Sequence, residues 1–457
     1  MSPILILLVG MAVVLGAIIV LRLNAFLALI GAAVLVSLLA PGEPGTKIAR
    51  VAQAFGSTAG SIGIVIALAA IIGKAMMDSG AADRIVRAFL RLLGEDQGAT
   101  ALLASGFALA IPVFFDTVFY LLIPLARSMY RRTGRNYLKY ITAIAAGAAA
   151  THALVPPTPG PLVVAGMLGV DLGTMILVGL VVALPAAVVG LFFAGWIDRR
   201  MPVPLRTGAT GIPEAAPTAP PALPGLTASL LPIVLPVVLI ASNTLIGSLA
   251  KEAGAHGGWA ALAPYAAIVG DANLALLLSA AVALWVYARQ RRPSRAEMAA
   301  AVEEALMSGG VIILITAAGG AFGAMLQAAQ IGPAIQALFA GGAGTGLVYL
   351  FLAFGVASLV KVAQGSSTVA MITTAAMLST LIQSAGVLPF HTAYVATAIA
   401  SGSLVGSWMN DSGFWVFTKM GGVTEIEALK SWTPALAIVG ITSMVTTVAL
   451  ALVLPLV

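Results

Sequence analysis

Apolar stretches close to the ~20 residues that cross a bilayer as a helix recur along this chain. Among them are Ile4–Leu21, Ala25–Leu39, Ile62–Met77, Ile176–Trp196, Leu226–Leu245 and Ala435–Val457. Such sequence leaves few folds open, because in lipid every backbone amide and carbonyl must be satisfied within a helix or a closed barrel. Apolar runs of this length select the helix. Only 9% of the 457 residues are charged, against about 25% in a soluble domain. The fold class expected is an all-α polytopic membrane protein.

The remaining composition excludes other classes. The net charge of +6 comes from basic residues in loops, which is the positive-inside pattern of membrane proteins and no sign of nucleic-acid binding. With no cysteine there is no thiolate metal site; His152, His256 and His391 lie too far apart for a histidine cluster, so no metal or cofactor is expected. The first basic residue, Arg22, follows the first apolar run, the wrong polarity for a cleaved signal peptide. Ile4–Leu21 therefore reads as a retained span with an outside amino terminus.

Two polar interruptions point to a site. One is His152-Ala153-Leu154-Val155-Pro156-Pro157-Thr158-Pro159-Gly160-Pro161; the other runs from Ser403 through Trp408, Met409, Asn410, Asp411 and Ser412 to Gly413. Broken helices at membrane depth survive only where protein or a polar cavity satisfies their backbone. A matched pair, one in each half of the chain, marks the binding site of a secondary transporter.

Charge accounting sets the topology. Basic clusters at Arg84/Arg87/Arg91, Arg127–Lys139, Arg199–Arg206 and Arg289–Arg295, with Arg22, Lys419 and Lys430, put 18 basic residues in the cytoplasm, while Lys47, Arg50 and Lys251 lie outside. Residues 99–126 then start and end on one side, as a re-entrant hairpin with Pro112–Thr117 at its tip. Residues 347–384 read as a second hairpin, tipped by Gly365-Ser366-Ser367-Thr368. The expected architecture is two inverted-topology repeats, 1–197 and 226–457, each of about five spans plus a hairpin. Their broken helices fall at about 140–168 and 392–418, at the midplane, and a Pro-rich cytoplasmic linker joins them at 198–225. Both termini fall outside. Residues 296–308 read as a short surface helix, and Lys74 with Asp78 as an interfacial pair.

The candidate residues sit at tips and breaks. A carboxylate at the bilayer centre costs ~2.5–3.5 kcal/mol, so Asp116 reads as a proton-coupling group facing a pathway, or as a structural acid capping backbone amides. His152 suits a proton relay or a donor to a substrate hydroxyl, against the reading of a satisfied core histidine. Thr117, Thr158, Asn410, Ser412, Ser366, Ser367 and Thr368 offer amide and hydroxyl groups to a substrate. Gly160, Gly365 and Gly413 are further substrate-binding candidates, with backbone shaping as their main role, and helix ends add positive field. Lys361 attracts an anion or snorkels outwards. Asp411 pairs with Lys361 or carries a proton. An intramembrane enzyme would need a nucleophile–base or metal constellation, such as a His-Glu-x-x-His run, and none is present.

These residues also resemble the gluconate permease (GntP-type) family of proton symporters. His152 to Pro161 is similar to that family's His-x-x-x-Pro-Pro-His-Pro-Gly-Pro. Asn410-Asp411-Ser412-Gly413-Phe414-Trp415, continuing through Thr424-Glu425 to Lys430-Ser431-Trp432, and Gly365-Ser366-Ser367-Thr368-Val369-Ala370 also resemble it. The resemblance implies proton-coupled uptake of gluconate or a similar small organic anion across a bacterial inner membrane. It also implies a homodimer with scaffold and transport domains, and elevator-type movement. Thr158 replaces a second histidine, Asp116 stands where a relative can carry Glu, and Lys361 stands in place of Arg. The last loses bidentate carboxylate recognition, which leaves other substrates open: another sugar acid, D-serine, glycerate or 3-hydroxybutyrate. An anion channel is a further alternative.

Overall fold

A computed structural model describes residues 2–94, 97–206, 223–253, 258–330, 346–384, 388–409 and 411–456. Most of the expected linker core, the loop residues 331–345 and 385–387, His256 and Asn410 lie outside the described residues. What is described is helical. The first half contains α1 (Pro3–Leu15, extended by a π turn at Gly16–Val20), α2 (Ala25–Leu39), α3 (Lys47–Ser79), α4 (Ala81–Leu93), α5 (Gly98–Leu109), α6 (Phe115–Thr133), α7 (Tyr137–Leu154), α8 (Pro159–Leu168) and α9 (Leu172–Arg200). The second contains α10 (Leu226–Ala253), α11 (Gly258–Val269), α12 (Ala272–Arg291), α13 (Arg295–Ala328), α14 (Leu347–Gln364), α15 (Ser367–Ser384), α16 (Ala393–Gly402), α17 (Ser412–Gly421) and α18 (Glu425–Val453).

Short polar side chains start many of these helices. Asp171 Oδ1 accepts from Thr174 N at 2.9 Å to cap α9, and also accepts from the Thr244 hydroxyl of α10 at 2.7 Å. Capping boxes open α13 (Ser294 with Glu297) and α18 (Thr424 with Glu427). Such caps satisfy amide donors that a helix start leaves unpaired. At the end of α2, Arg50 donates to Ser37 O at 2.5 Å and Pro41 O at 2.8 Å, while Lys47 donates to Leu38 O at 2.7 Å. Two of the three basic residues assigned outside are thus held by carbonyls at the end of α2.

Residues 296–308 are no separate surface helix. They form the first turns of α13, which runs unbroken for 34 residues, because its alanine-rich sequence contains no proline between the Ser294 cap and Ala328. Asp198, expected at the start of the linker, lies inside α9 and accepts from Lys139 N at 3.1 Å. Lys74 and Asp78 do pair, at 3.3 Å, and Lys74 also meets Glu304 at 2.9 Å.

The core is organised around two small-residue helices. In lipid there is no hydrophobic drive between helices, so close backbone approach has to supply the packing. The sequence Ala145–Ala150 gives α7 that surface, and it lies buried between α5 and α9. A Cβ placed on Gly147 would lie 2.3 Å from Leu103 O of α5, and one on Gly179 of α9 would lie 2.2 Å from Leu154 O. The second half repeats the device: α16 lies between α14 and α18, with a Cβ on Gly402 falling 2.2 Å from Phe354 O. Gly147→Val is therefore expected to destabilise by about 1–3 kcal/mol through overpacking. Gly31→Val, on an open face of α2, should stay within about 0.5 kcal/mol; paired thermal melts in detergent would compare them.

Candidate functional site

Each half delivers one hairpin turn and one helix break to a common place. After Leu154, the prolines at 156, 157, 159 and 161 end α7, since proline lacks the amide that continues a helix. Thr158 closes the turn by donating to Val155 O at 2.6 Å, and Pro159 starts α8 where its missing N–H costs nothing. In the second half, Gly406 takes a φ of 87° within the break between α16 and α17. The second hairpin turns at Gly365, whose φ is 92°, and the Ser366 hydroxyl accepts from Val369 N at 3.3 Å to start α15. The first hairpin turns between Leu109 and Phe115.

These turns enclose a cavity of about 180 Å³. Asp116 and His152 line it from the first half; Ser366, Ser367, Thr368, Asp411, Ser412 and Gly413 line it from the second. Three helices, α6, α15 and α17, present their N-terminal turns to this space. Free amide groups and the helix dipole make such ends favourable for negative charge. At roughly 180 Å³ the cavity is smaller than the ~300–1,000 Å³ of drug-sized ligand sites, so a small molecule is the appropriate occupant.

Beside the cavity lies a buried ion pair. Lys361 Nζ sits 2.7 Å from Asp411 Oδ2, with side-chain exposures of 1% and 9%, so Lys361 does not snorkel. The lysine also donates to Gly365 O at the hairpin turn. Asp411 accepts from the Ser407 hydroxyl and, at 2.9 Å, from Gly413 N at the start of α17. Trp432 Nε1 donates to Ser407 Oγ at 2.6 Å. A charged pair removed from water holds only when its remaining hydrogen-bonding positions are filled, and here the carboxylate has three partners. Of the two roles the sequence left to Asp411, pairing with Lys361 is the one seen in this conformation.

Asp116 differs. It lines the cavity from the first turn of α6 with no hydrogen bond or ion pair among the described residues. His152 Nδ1 is likewise buried without a partner, its ring 6.0 Å from that of Phe114. These are groups with unused hydrogen-bonding capacity facing a space of ligand size.

Other candidates lie off the cavity. Thr158 is spent on its own turn and lines a separate small void with Pro159 and Phe114. Gly160 is a packing position, where a Cβ would lie 2.1 Å from Met371 Cε of α15. Gly365 shapes the turn, Thr117 stands behind Asp116 outside the cavity lining, and Asn410 lies outside the described residues. Among the described residues no three histidine or acidic side chains gather as a metal site.

Sequence reasoning did not assign the aromatic wall. Phe115 and Trp432 line the cavity, their ring centroids 5.2 Å apart, and Phe417 packs against Trp432 at 5.4 Å with its ring tilted by 42°. It also missed how α17 is held. Its last carbonyls accept from two first-half side chains and one linker side chain: Arg127 to Met420 O at 2.7 Å, Tyr137 to Gly421 O at 2.7 Å and Arg206 to Gly422 O at 3.1 Å. Trp432 could have been flagged from the Asn410–Trp432 block; Arg127, Tyr137 and Arg206 had no local signal.

Hydrophobic helices with a polar cavity at two breaks are the build of a multi-pass membrane transporter. The GntP family permease model matches residues 2–453. The chain is 33% identical over 436 residues to a gluconate permease of Pseudomonas aeruginosa, covering 95% of this chain and 94% of that one. It is 31% identical to a low-affinity gluconate transporter of Escherichia coli K12, covering 92% and 91%. Among solved structures, the YdaH transporter of Alcanivorax borkumensis superposes with a TM-score of 0.63 at 14% identity, over 94% of this chain and 98% of that one, which speaks to fold. The chain belongs to the GntP family of permeases.

Proposed function

We propose that this permease moves gluconate, or a similarly small hydroxylated carboxylate, into the cell together with protons. The observation that carries the reading is the cavity where three helix N-terminal turns, the Ser366–Thr368 hydroxyls and the Lys361–Asp411 pair meet. A carboxylate entering there finds a positive field, and polyol hydroxyls find Ser367, Thr368, Ser412 and His152. The names of the relatives supply the choice of gluconate.

Coupling follows from competition for charge. Asp411 neutralises Lys361, and Asp116 adds a second negative group to the same cavity. A substrate carboxylate adds a third. Protonating Asp116 or Asp411 lowers that repulsion, so proton and anion favour the same loaded state. One proton per monovalent anion is electroneutral; a second adds about 2.3 kcal/mol per 100 mV of membrane potential.

Two inverted repeats, 1–197 and 226–457, are the architecture we infer. Two pairs of elements of equal length support it: α8 and α17 with 10 residues each, and α9 and α18 with 29. The hairpins and broken helices would form the moving part of an elevator in a homodimeric inner-membrane protein, with Asp198–Gly225 joining the repeats in the cytoplasm. Uptake of labelled gluconate into proteoliposomes under an imposed pH gradient tests the assignment. Saturable accumulation of gluconate against its own concentration gradient is expected; no uptake, with another acid carried instead, would reassign the substrate. Non-saturable downhill flux would make it a channel.

His152→Ala is expected to raise the half-saturation concentration for uptake or shift its pH dependence, by about 1–2 kcal/mol for one lost hydrogen bond. An uptake curve superimposable on the parent's would make His152 a packing residue only.

A further inference from the structure

Helix α4 is strongly amphipathic and serves neither hairpin nor break. Gly80, with a φ of 79°, ends α3 and turns the chain, so α4 leaves the axis of the preceding span. Its residues Ala81, Ala82, Ile85 and Val86 are buried, and Arg84, Arg87 and Arg91 are set against one acid, Asp83. Arg84 and Arg91 stand seven residues apart and so share a helix face. Neither makes an ion pair or side-chain hydrogen bond among the described residues.

Between α4 and the start of α10 runs a groove of about 470 Å³, walled by Phe89, Leu92, Leu226 and Leu230, with Arg84 and Arg91 on its lining. Leu92 is 79% exposed, an apolar surface that water covers poorly and lipid covers well. An apolar trough with guanidinium groups that make no ion pair among the described residues matches one ligand chemistry, an acyl chain ending in a phosphate. Guanidinium groups bind phosphate oxygens through paired hydrogen bonds, and basic pockets between membrane helices take anionic headgroups. We propose that this groove is a binding site for an anionic phospholipid, with an acyl chain against Phe89, Leu226 and Leu230 and the acidic headgroup on Arg84 and Arg91. Since α4 packs on α5, the lipid would lie against the arm leading to Asp116, and transport should rise with the anionic lipid content of the membrane.

Native mass spectrometry of the full-length protein, stripped of lipid and titrated with phosphatidylglycerol or phosphatidylcholine, tests the site. Phosphatidylglycerol should bind the parent more tightly than phosphatidylcholine. Arg84→Gln/Arg91→Gln should weaken phosphatidylglycerol about thirty-fold, from roughly fivefold per arginine, while Arg199→Gln/Arg200→Gln should not. Leu230→Trp, which fills the trough and keeps both arginines, should weaken it too. Equal affinity for the two lipids, or equal losses in both arginine pairs, would reduce the effect to general surface charge and overturn the proposal. So would displacement of the lipid by soluble glycerol 3-phosphate, or lipid binding that emerges only when residues 207–222 are removed, which would make the linker the occupant.

Discussion

Lys361→Met is expected to abolish uptake and to lower stability by about 3–5 kcal/mol, the cost of leaving a buried charge without its partner. Asp411 would stay enclosed, with Ser407 and Gly413 N as its remaining partners. The double variant Lys361→Met/Asp411→Asn removes both charges and should recover most of the lost stability without recovering uptake. Thermal melting in detergent beside uptake in proteoliposomes reads the two effects separately. A single variant that melts like the parent would mean the pair contributes nothing to the fold. A double variant that transports normally would remove Lys361 from anion attraction.

Asp116→Asn should abolish pH-driven uptake while leaving exchange of labelled for unlabelled substrate in place. Asn keeps the shape of the side chain and cannot take up a proton. Because Asp116 has no ion pair or hydrogen bond to lose among the described residues, its replacement by a neutral amide should not lower stability. That contrast separates it from Lys361, where transport and stability fall together. Unaltered pH-driven uptake would assign coupling elsewhere, with Asp411 next in line.

Several features were legible because their causes are local. The adjacent prolines at 156 and 157 end α7 where a single proline such as Pro185 stays inside a helix, and Gly365 with its positive φ turns the chain before Ser366. The chain leaves helical geometry at 110–114, 155–158, 365–366 and 403–411, within or beside the segments singled out in the sequence. Residues 296–308 misled, since a charged, alanine-rich segment before an apolar run is equally suited to a separate surface helix or to the first turns of a long one. Packing of α13 on α3 goes with the continuous helix.

By itself the sequence determined the membrane class, the local interruptions of helix at the prolines after Val155 and at Gly365, and a set of polar residues too costly to leave in lipid. Those follow from local backbone chemistry and from the transfer cost of single side chains, which no partner is needed to define. Only the tertiary structure decided which of those residues share a cavity. It paired Lys361 with Asp411 across 50 positions and left Asp116 and His152 Nδ1 without partners among the described residues. It turned Gly160 into a packing contact with Met371, and brought Arg127, Tyr137 and Arg206 to the end of α17. Such relations depend on how helices distant in the chain approach each other, and that approach is set by glycine–carbonyl contacts such as Gly147 on Leu103 and Gly402 on Phe354.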